Sequence, residues 1–237
     1  MSFGWSLTRD SGYLANATSY VTSNLFLNLD ANTYTSGVTW NDLSGNSRNA
    51  TLINAPTYNS SQGGYFHFTD TSLQYAITPT VPSLSNWTIE GWYRPTKSLT
   101  GKITSVLSNE YNGSNLNYSL GTNNGPIDYN FSGGFYNGVW RRTTGFLPSI
   151  NTWYQGVVSF DGTTITQYSN GIFQSSVSAP SPSVSGGAIR IARRWDEANI
   201  SSNFFDGDIS VIRVYNTALT SAQVLQNFNA IRGRYGL

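Results

Sequence analysis

Glycoside hydrolysis needs two carboxyl groups flanking the scissile bond, one as acid and one as nucleophile or base. The chain has three glutamates, Glu90, Glu110 and Glu197. Glu90, in the run TIEGW, has no carboxylate within four residues and reads as a single solvated or paired strand carboxylate. Asp206 and Asp208 share a strand face by alternation, but no catalytic role is assigned to the pair. His67, the one histidine, sits between Phe66 and Phe68, and no Ser stands in a G-x-S-x-G context. It reads as a hydrogen-bonded sheet histidine. No catalytic residues are assigned, and the chain is expected not to be an enzyme.

Recognition is better represented than catalysis. Trp140-Arg141-Arg142 and Arg193-Arg194-Trp195-Asp196 place indoles beside guanidinium groups, and Tyr111 and Tyr136 lie on long loops. An aromatic ring stacks on the apolar face of a sugar while Arg, Asn and Asp take its hydroxyls. Protein interfaces enrich the same residue types. Both uses, glycan binding and partner binding, stay open at these positions.

Composition narrows the field. Of 237 residues, 38% are hydrophobic and 14% aromatic, enough to bury a core. Only 11% are charged, against roughly a quarter in an average domain, while Ser, Thr and Asn make up about a third. A net charge of +1 supplies no field for nucleic acid or an anionic membrane. No window approaches 18 apolar residues, so membrane insertion is not expected. With no Cys and one His, disulfides, thiol chemistry and two-histidine metal sites are excluded. The N-terminus lacks the basic head, apolar run and cleavage site of a secretory signal, so export by that route is not expected.

The elements that must position these residues are short strands. Asn24–Asp30 alternates Leu25, Leu27 and Leu29 against Asn24, Phe26 and Asn28, the pattern of a half-buried strand. Tyr65–Phe68, Gln74–Ile77, Trp87–Tyr93, Ile189–Ala192 and Asp208–Tyr215 continue the series. Trp153–Phe160, Thr163–Tyr168 and Ile172–Val177 are separated by Asp161-Gly162 and Asn170-Gly171, turn dipeptides that predict a three-stranded antiparallel meander. Asn109–Gly125 and Ala179–Gly187 read as loops. Helical spacing appears only at the end: Thr220 and Gln223 form a capping-box pattern, Val224, Leu225, Phe228 and Ile231 form a stripe, and Gly233 sits where the helix would end. Residues 1–23 show no periodicity but carry Phe3, Trp5, Leu7 and Tyr13, which identifies an arm. It packs either on its own domain or on a neighbouring subunit, and its apolar contacts are expected outside its own sandwich. Residues 24–237 form the domain.

Three blocks carry a resemblance: LDANTYTSGVTWNDLSGNSRNATLINAPTYNSSQGGYFHF (Leu29–Phe68), FDGTTITQYSNG (Phe160–Gly171) and FDGDISVIRVYNTALTSAQVLQNFNAIRGRYGL (Phe205–Leu237). Together they resemble the concanavalin A-like, laminin-G-like domains of tailed-phage virion structural proteins, those of cyanophages especially. The resemblance implies an all-β, jelly-roll-type sandwich of two antiparallel sheets with a short C-terminal helix and an extended N-terminal arm. It implies a binding or structural module, a capsid decoration, fibre or tail-associated subunit on the virion surface, assembled in the host cytoplasm. Its partners would be other virion proteins, copies of itself, or host surface glycans. Laminarinase-type enzymes of the same sandwich carry an E-x-D-x-x-E strand, and none occurs here. Relatives with calcium pair two acids in an FDGxDDY segment, where FTDTSLQY leaves Asp70 alone, and their D-E before the V-R-I-Y-N run is Ser210 and Val211 here. Those departures argue against calcium, and no cofactor is expected. Asp42, in DLSGN, reads as a turn carboxylate capping backbone N–H groups.

Overall fold

The computed structural model describes residues 19–109, 116–122, 130–180, 186–194 and 203–237. Phe3, Trp5, Leu7 and Tyr13 of the arm, together with Tyr111 and Trp195, lie outside the described residues.

Among the described residues, alternating apolar runs broken by turn residues fold into two antiparallel sheets of eight strands each. The first orders β14 (Ile172–Ser178), β13 (Thr164–Ser169), β12 (Tyr154–Phe160), β7 (Trp87–Pro95), β16 (Gly207–Tyr215), β5 (Tyr65–Phe68) and β4 (Thr57–Asn59). β1 (Leu25–Asp30) also joins β16, taking the half that β5 leaves unpaired. The second orders β11 (Trp140–Arg142), β10 (Phe131–Tyr136), β9 (Leu116–Thr122), β8 (Ser105–Asn109), β15 (Gly187–Ile191), β6 (Tyr75–Val81), β3 (Ala50–Ile53) and β2 (Thr39–Trp40). The fold is the all-β sandwich expected.

Between the sheets lies an aromatic-rich core that includes Trp40, Phe66, Trp87, Tyr93, Phe131 and Phe160. Tyr93 and Phe131 stack across the sheets at 4.4 Å. The meander is present, and the turn chemistry explains its register. Asn170 (φ +51°) and Gly171 (φ +76°) both take the left-handed values of a primed turn, pairing Ser169 with Ile172. At the preceding turn Gly162 has φ +100°, and the Asp161 carboxylate accepts from Thr163 N and Thr164 N.

α1 (Ser221–Ile231) begins at the expected cap, with Thr220 and Gln223 bonded reciprocally. It covers the outer face of the first sheet, burying Val224, Asn227, Phe228 and Ile231. Phe228 stacks on Trp92 at 5.8 Å. The expected stripe is corrected at Leu225, which is 45% exposed: each residue turns about 100° round a helix, so the inward line runs 224, 227/228, 231. Gly233 does not end the ordered chain. A 3-10 turn, Arg232–Tyr235, follows and stacks Tyr235 on Trp92 at 4.6 Å.

Three further expectations are corrected. Asn109–Gly125 is not all loop, because β9 runs through it with Tyr118 and Leu120 alternating into the core beneath an Asn- and Ser-rich composition. β1 is buried on both faces from Phe26 to Asp30 rather than half-buried, since the chain's C-terminal segment covers its outer side, pairing Arg234 with Asp30 at 2.9 Å. The last arm residues pack on their own sandwich: Val21 is buried beside Tyr215 and Val224, and the Tyr20 ring lies 4.1 Å from the Arg213 guanidinium carbon.

Candidate functional site

Alternation along the second sheet sends Ile189, Ile191 and Ala76 into the core and turns Arg190 and Tyr75 to the outer face. After β15 the chain turns at Ala192 (φ +63°), and a bridge between Arg193 and Phe204 brings Phe204 alongside. Tyr75 and Phe204 then meet edge to face at 6.0 Å, with the Arg193 guanidinium carbon 4.8 Å and 5.1 Å from the two ring centres. These residues, with Arg190, Ile53 and Leu73, line a cleft of about 390 Å³. Asn54 closes one side, its side-chain amide donating to Leu73 O at 2.9 Å. Rings, guanidinium groups and an amide within one concavity can hold a polyhydroxylated ring: the half-buried Tyr75 ring, backed by the buried Phe204, offers its face to the sugar's C–H groups, and the polar heads take its hydroxyls.

A second group stands on the same face near the sheet's far edge. Tyr136 and Trp140 are register partners with ring centres 5.0 Å apart, and the Arg142 guanidinium carbon lies 3.7 Å from the Trp140 ring centre. Trp140 is 37% exposed. Burial, reinforced by the positive charge of Arg194, pulls the Arg142 pKa down to about 9. Ser119 and Ser108, paired with one another, lie between the two groups, and Ser108 pairs in turn with Arg190.

The structure therefore brings together Tyr136, Trp140 and Arg142, and places Arg193 in the cleft. It does not add Arg141, which pairs with the core residue Phe135 and so turns to the opposite side of its strand. Arg194 donates its backbone N–H to Asn203 O at 2.8 Å and reaches the Arg142 end electrostatically. Sequence reasoning missed Tyr75, Arg190 and Phe204. The available signal was Arg190 itself, a charge set in the otherwise small and apolar strand GAIRI.

Of the residues weighed for hydrolysis, Glu110 and Glu197 lie outside the described residues, and the others are engaged elsewhere. Glu90 is fully buried beneath α1, its Oε1 accepting from Trp92 Nε1 (2.9 Å), Gln155 Nε2 (3.0 Å) and Arg213 Nη1 (3.1 Å), and its Oε2 from Asn227 Nδ2 (2.8 Å). Four donors occupy the carboxylate, as the paired-strand reading expects. His67 Nδ1 lies 2.8 Å from Asp208 Oδ1, which raises the imidazole pKa despite partial burial. Arg94 donates to the other Asp208 oxygen at 2.7 Å.

Asp70 is not alone. Its backbone N–H donates to Asp206 Oδ2 at 3.2 Å, and Lys97 Nζ bridges the two carboxylates at 3.0 Å and 2.8 Å. Lys102 bonds the other Asp70 oxygen. Burial works against the Asp70 charge, but the Lys102 and Lys97 ammonium groups outweigh it and bring its pKa to about 2. Two ammonium groups on two carboxylates make a donor set that repels a divalent cation, so these residues do not fit the calcium of the related domains. Asp42 caps as expected, accepting from Asn28 N, Ser44 N and Arg48 N at 2.9 Å each.

Residues 69–225 match the family described as the concanavalin A-like lectin/glucanases superfamily. No curated protein matches the chain. Among solved structures, domain 4 of AbnA, a GH43 extracellular arabinanase from Geobacillus stearothermophilus in complex with arabinotriose, is similar with a TM-score of 0.68 and 16% identity, over 86% of this chain and 98% of that one. The botulinum neurotoxin serotype C1 binding domain has a TM-score of 0.68 and 14% identity, over 89% of this chain. The binding domain of Paraclostridial mosquitocidal protein 1 has a TM-score of 0.65 and 18% identity, over 88%. This chain spans about half of each toxin domain, 53% and 52% respectively. At these identities the likeness is one of fold.

Proposed function

The chain belongs to the concanavalin A-like lectin/glucanase superfamily, and from that premise we propose that it is a non-enzymatic, lectin-like module displayed on a tailed-phage particle, where the outer face of its second sheet binds host surface glycan. The observation that carries the glycan part is the cleft in which Arg193 stacks on Tyr75 and Phe204. Sugar ligands in similar folds support it: arabinotriose in the arabinanase domain and SialylT in a botulinum neurotoxin binding domain. Non-enzymatic action is supported by the saturation of Glu90 and the neutralisation of Asp70, Asp206 and Asp208. The particle context rests on the three sequence blocks that resemble virion structural proteins; other virion proteins and copies of itself are then the partners. A polar surface poor in charge and free of cysteine suits display on a particle.

Three measurements test this reading. On a glycan array the full chain should bind a restricted set of sugars, with loss on Tyr75→Ala, and incubation with the bound polysaccharide should release no reducing ends. Antibody labelling of particles should decorate their surface. Release of reducing ends by the wild-type chain would overturn the non-enzymatic reading, and unlabelled particles would overturn the virion assignment.

A further inference from the structure

The first sheet ends at β14, and that edge lacks the devices that usually guard one. Ile172–Ser178 carries no charge and no proline, and among the described residues no strand pairs with its outer side. Ala179 N–H donates to Thr163 O at 2.8 Å, so by antiparallel alternation Val177 and Ser175 bond to β13, while the backbone groups of Ser176 and Ser178 face outward. Large apolar side chains flank this edge: Ile172 is 65% exposed, Phe173 56%, and Leu225 of α1 45%. The Leu225 side chain reaches the Gly171 turn that begins β14, making one patch of strand and helix.

From this edge we infer that β14 is a docking strand for the N-terminal segment of a neighbouring copy, which adds Phe3–Leu7 as a further strand. Residues 1–18 precede Ser19, whose carbonyl accepts from Gln226 Nε2 at 2.7 Å, so the segment leaves the domain at α1. Although residues 1–23 as a whole follow no period, the five residues Phe3–Leu7 alternate Phe3, Trp5 and Leu7 with Gly4 and Ser6, as a short strand with one apolar face does, and the run carries no charge to oppose an uncharged edge. Strand addition takes its affinity from main-chain bonds and its selectivity from alternate side chains. Here Ser176 and Ser178 offer the bonds, and Phe173 and Leu225 the apolar surface. Residues 8–18 can extend over about 36 Å, long enough to carry Phe3–Leu7 clear of its own domain to the edge of a neighbouring copy.

Sedimentation of the full chain over a concentration series tests the inference. Wild type should associate, and Phe3→Ser/Trp5→Ser, Phe173→Lys and Ser176→Pro should each weaken association by at least about tenfold with unchanged thermal unfolding. Ser176→Pro removes an outward N–H only, so the β13 ladder survives. Because the chain has no cysteine, one population carrying Ser6→Cys can be mixed with another carrying Gln174→Cys and oxidised, and a mixed disulfide dimer is expected. A monomer at every concentration, association indifferent to these variants, or a disulfide that forms only within a single doubly substituted chain would overturn the inference.

Discussion

Arg213 and Glu90 are register partners on β16 and β7, both with no solvent exposure, and Arg213 Nη1 lies 3.1 Å from Glu90 Oε1. The pair sits under α1, where Asn227 of the helix donates to the second carboxylate oxygen. An ion pair so placed ties the helix to the sheet and leaves the carboxylate no exposed face for substrate.

Glu90→Gln keeps the shape but leaves the Arg213 charge buried without its partner. Breaking one half of a buried pair costs about 3–5 kcal/mol, a large share of the roughly 5–15 kcal/mol that holds a domain. Urea denaturation should register that loss. Unchanged stability would mean that the carboxylate is solvated.

Phe228→Ala removes the ring stacked on Trp92 and should cost about 3 kcal/mol. Leu225→Ala, one position round the helix and 45% exposed, should stay within about 1 kcal/mol of wild type. Equal stabilities would show α1 to be free of the sheet.

Stability should respond to pH at both ends. His67 has a raised folded pKa, so its bond to Asp208 contributes fully below about 6.5 and is lost as pH rises through the folded value. Asp70 has a folded pKa of about 2, so its ion pairs contribute above its ordinary carboxylate range and are lost as pH falls towards 2. Thermal midpoints across pH should flatten on the alkaline side in His67→Gln and on the acid side in Asp70→Asn. Parallel curves for all three proteins would contradict the assignment.

Gly133 lies where the sheets approach closely: a Cβ there would overlap Val158 Cγ2. Gly133→Ala should therefore destabilise by about 1–3 kcal/mol, and adding Val158→Ala should recover part of that loss. No recovery in the double variant would place the strain elsewhere.

The sandwich was legible wherever period-two alternation met strong turn residues. Trp153–Phe160 and Thr163–Val177 were readable for that reason, and the Thr220 cap because both its partners are local. β9 was not, since Asn117, Ser119 and Gly121 mask the two core residues between them. Contacts of long sequence separation were equally hidden. Asp70 looked solitary because Asp206 lies 136 residues away, and the cleft escaped notice because Tyr75, Arg190 and Phe204 meet only through sheet pairing and a bridge. Trp140 and Arg142 were found together, and Arg141 was wrongly grouped with them, because adjacency in sequence says nothing of which side of a strand a residue takes.

Backbone amide shifts of the chain, titrated with the best-bound array sugar, test glycan recognition most directly. Shifts concentrated on Tyr75, Arg190, Arg193 and Phe204, with a second group at Tyr136, Trp140 and Arg142, are the predicted result. Shifts confined to α1 and the first sheet, with the second sheet unmoved, would contradict it.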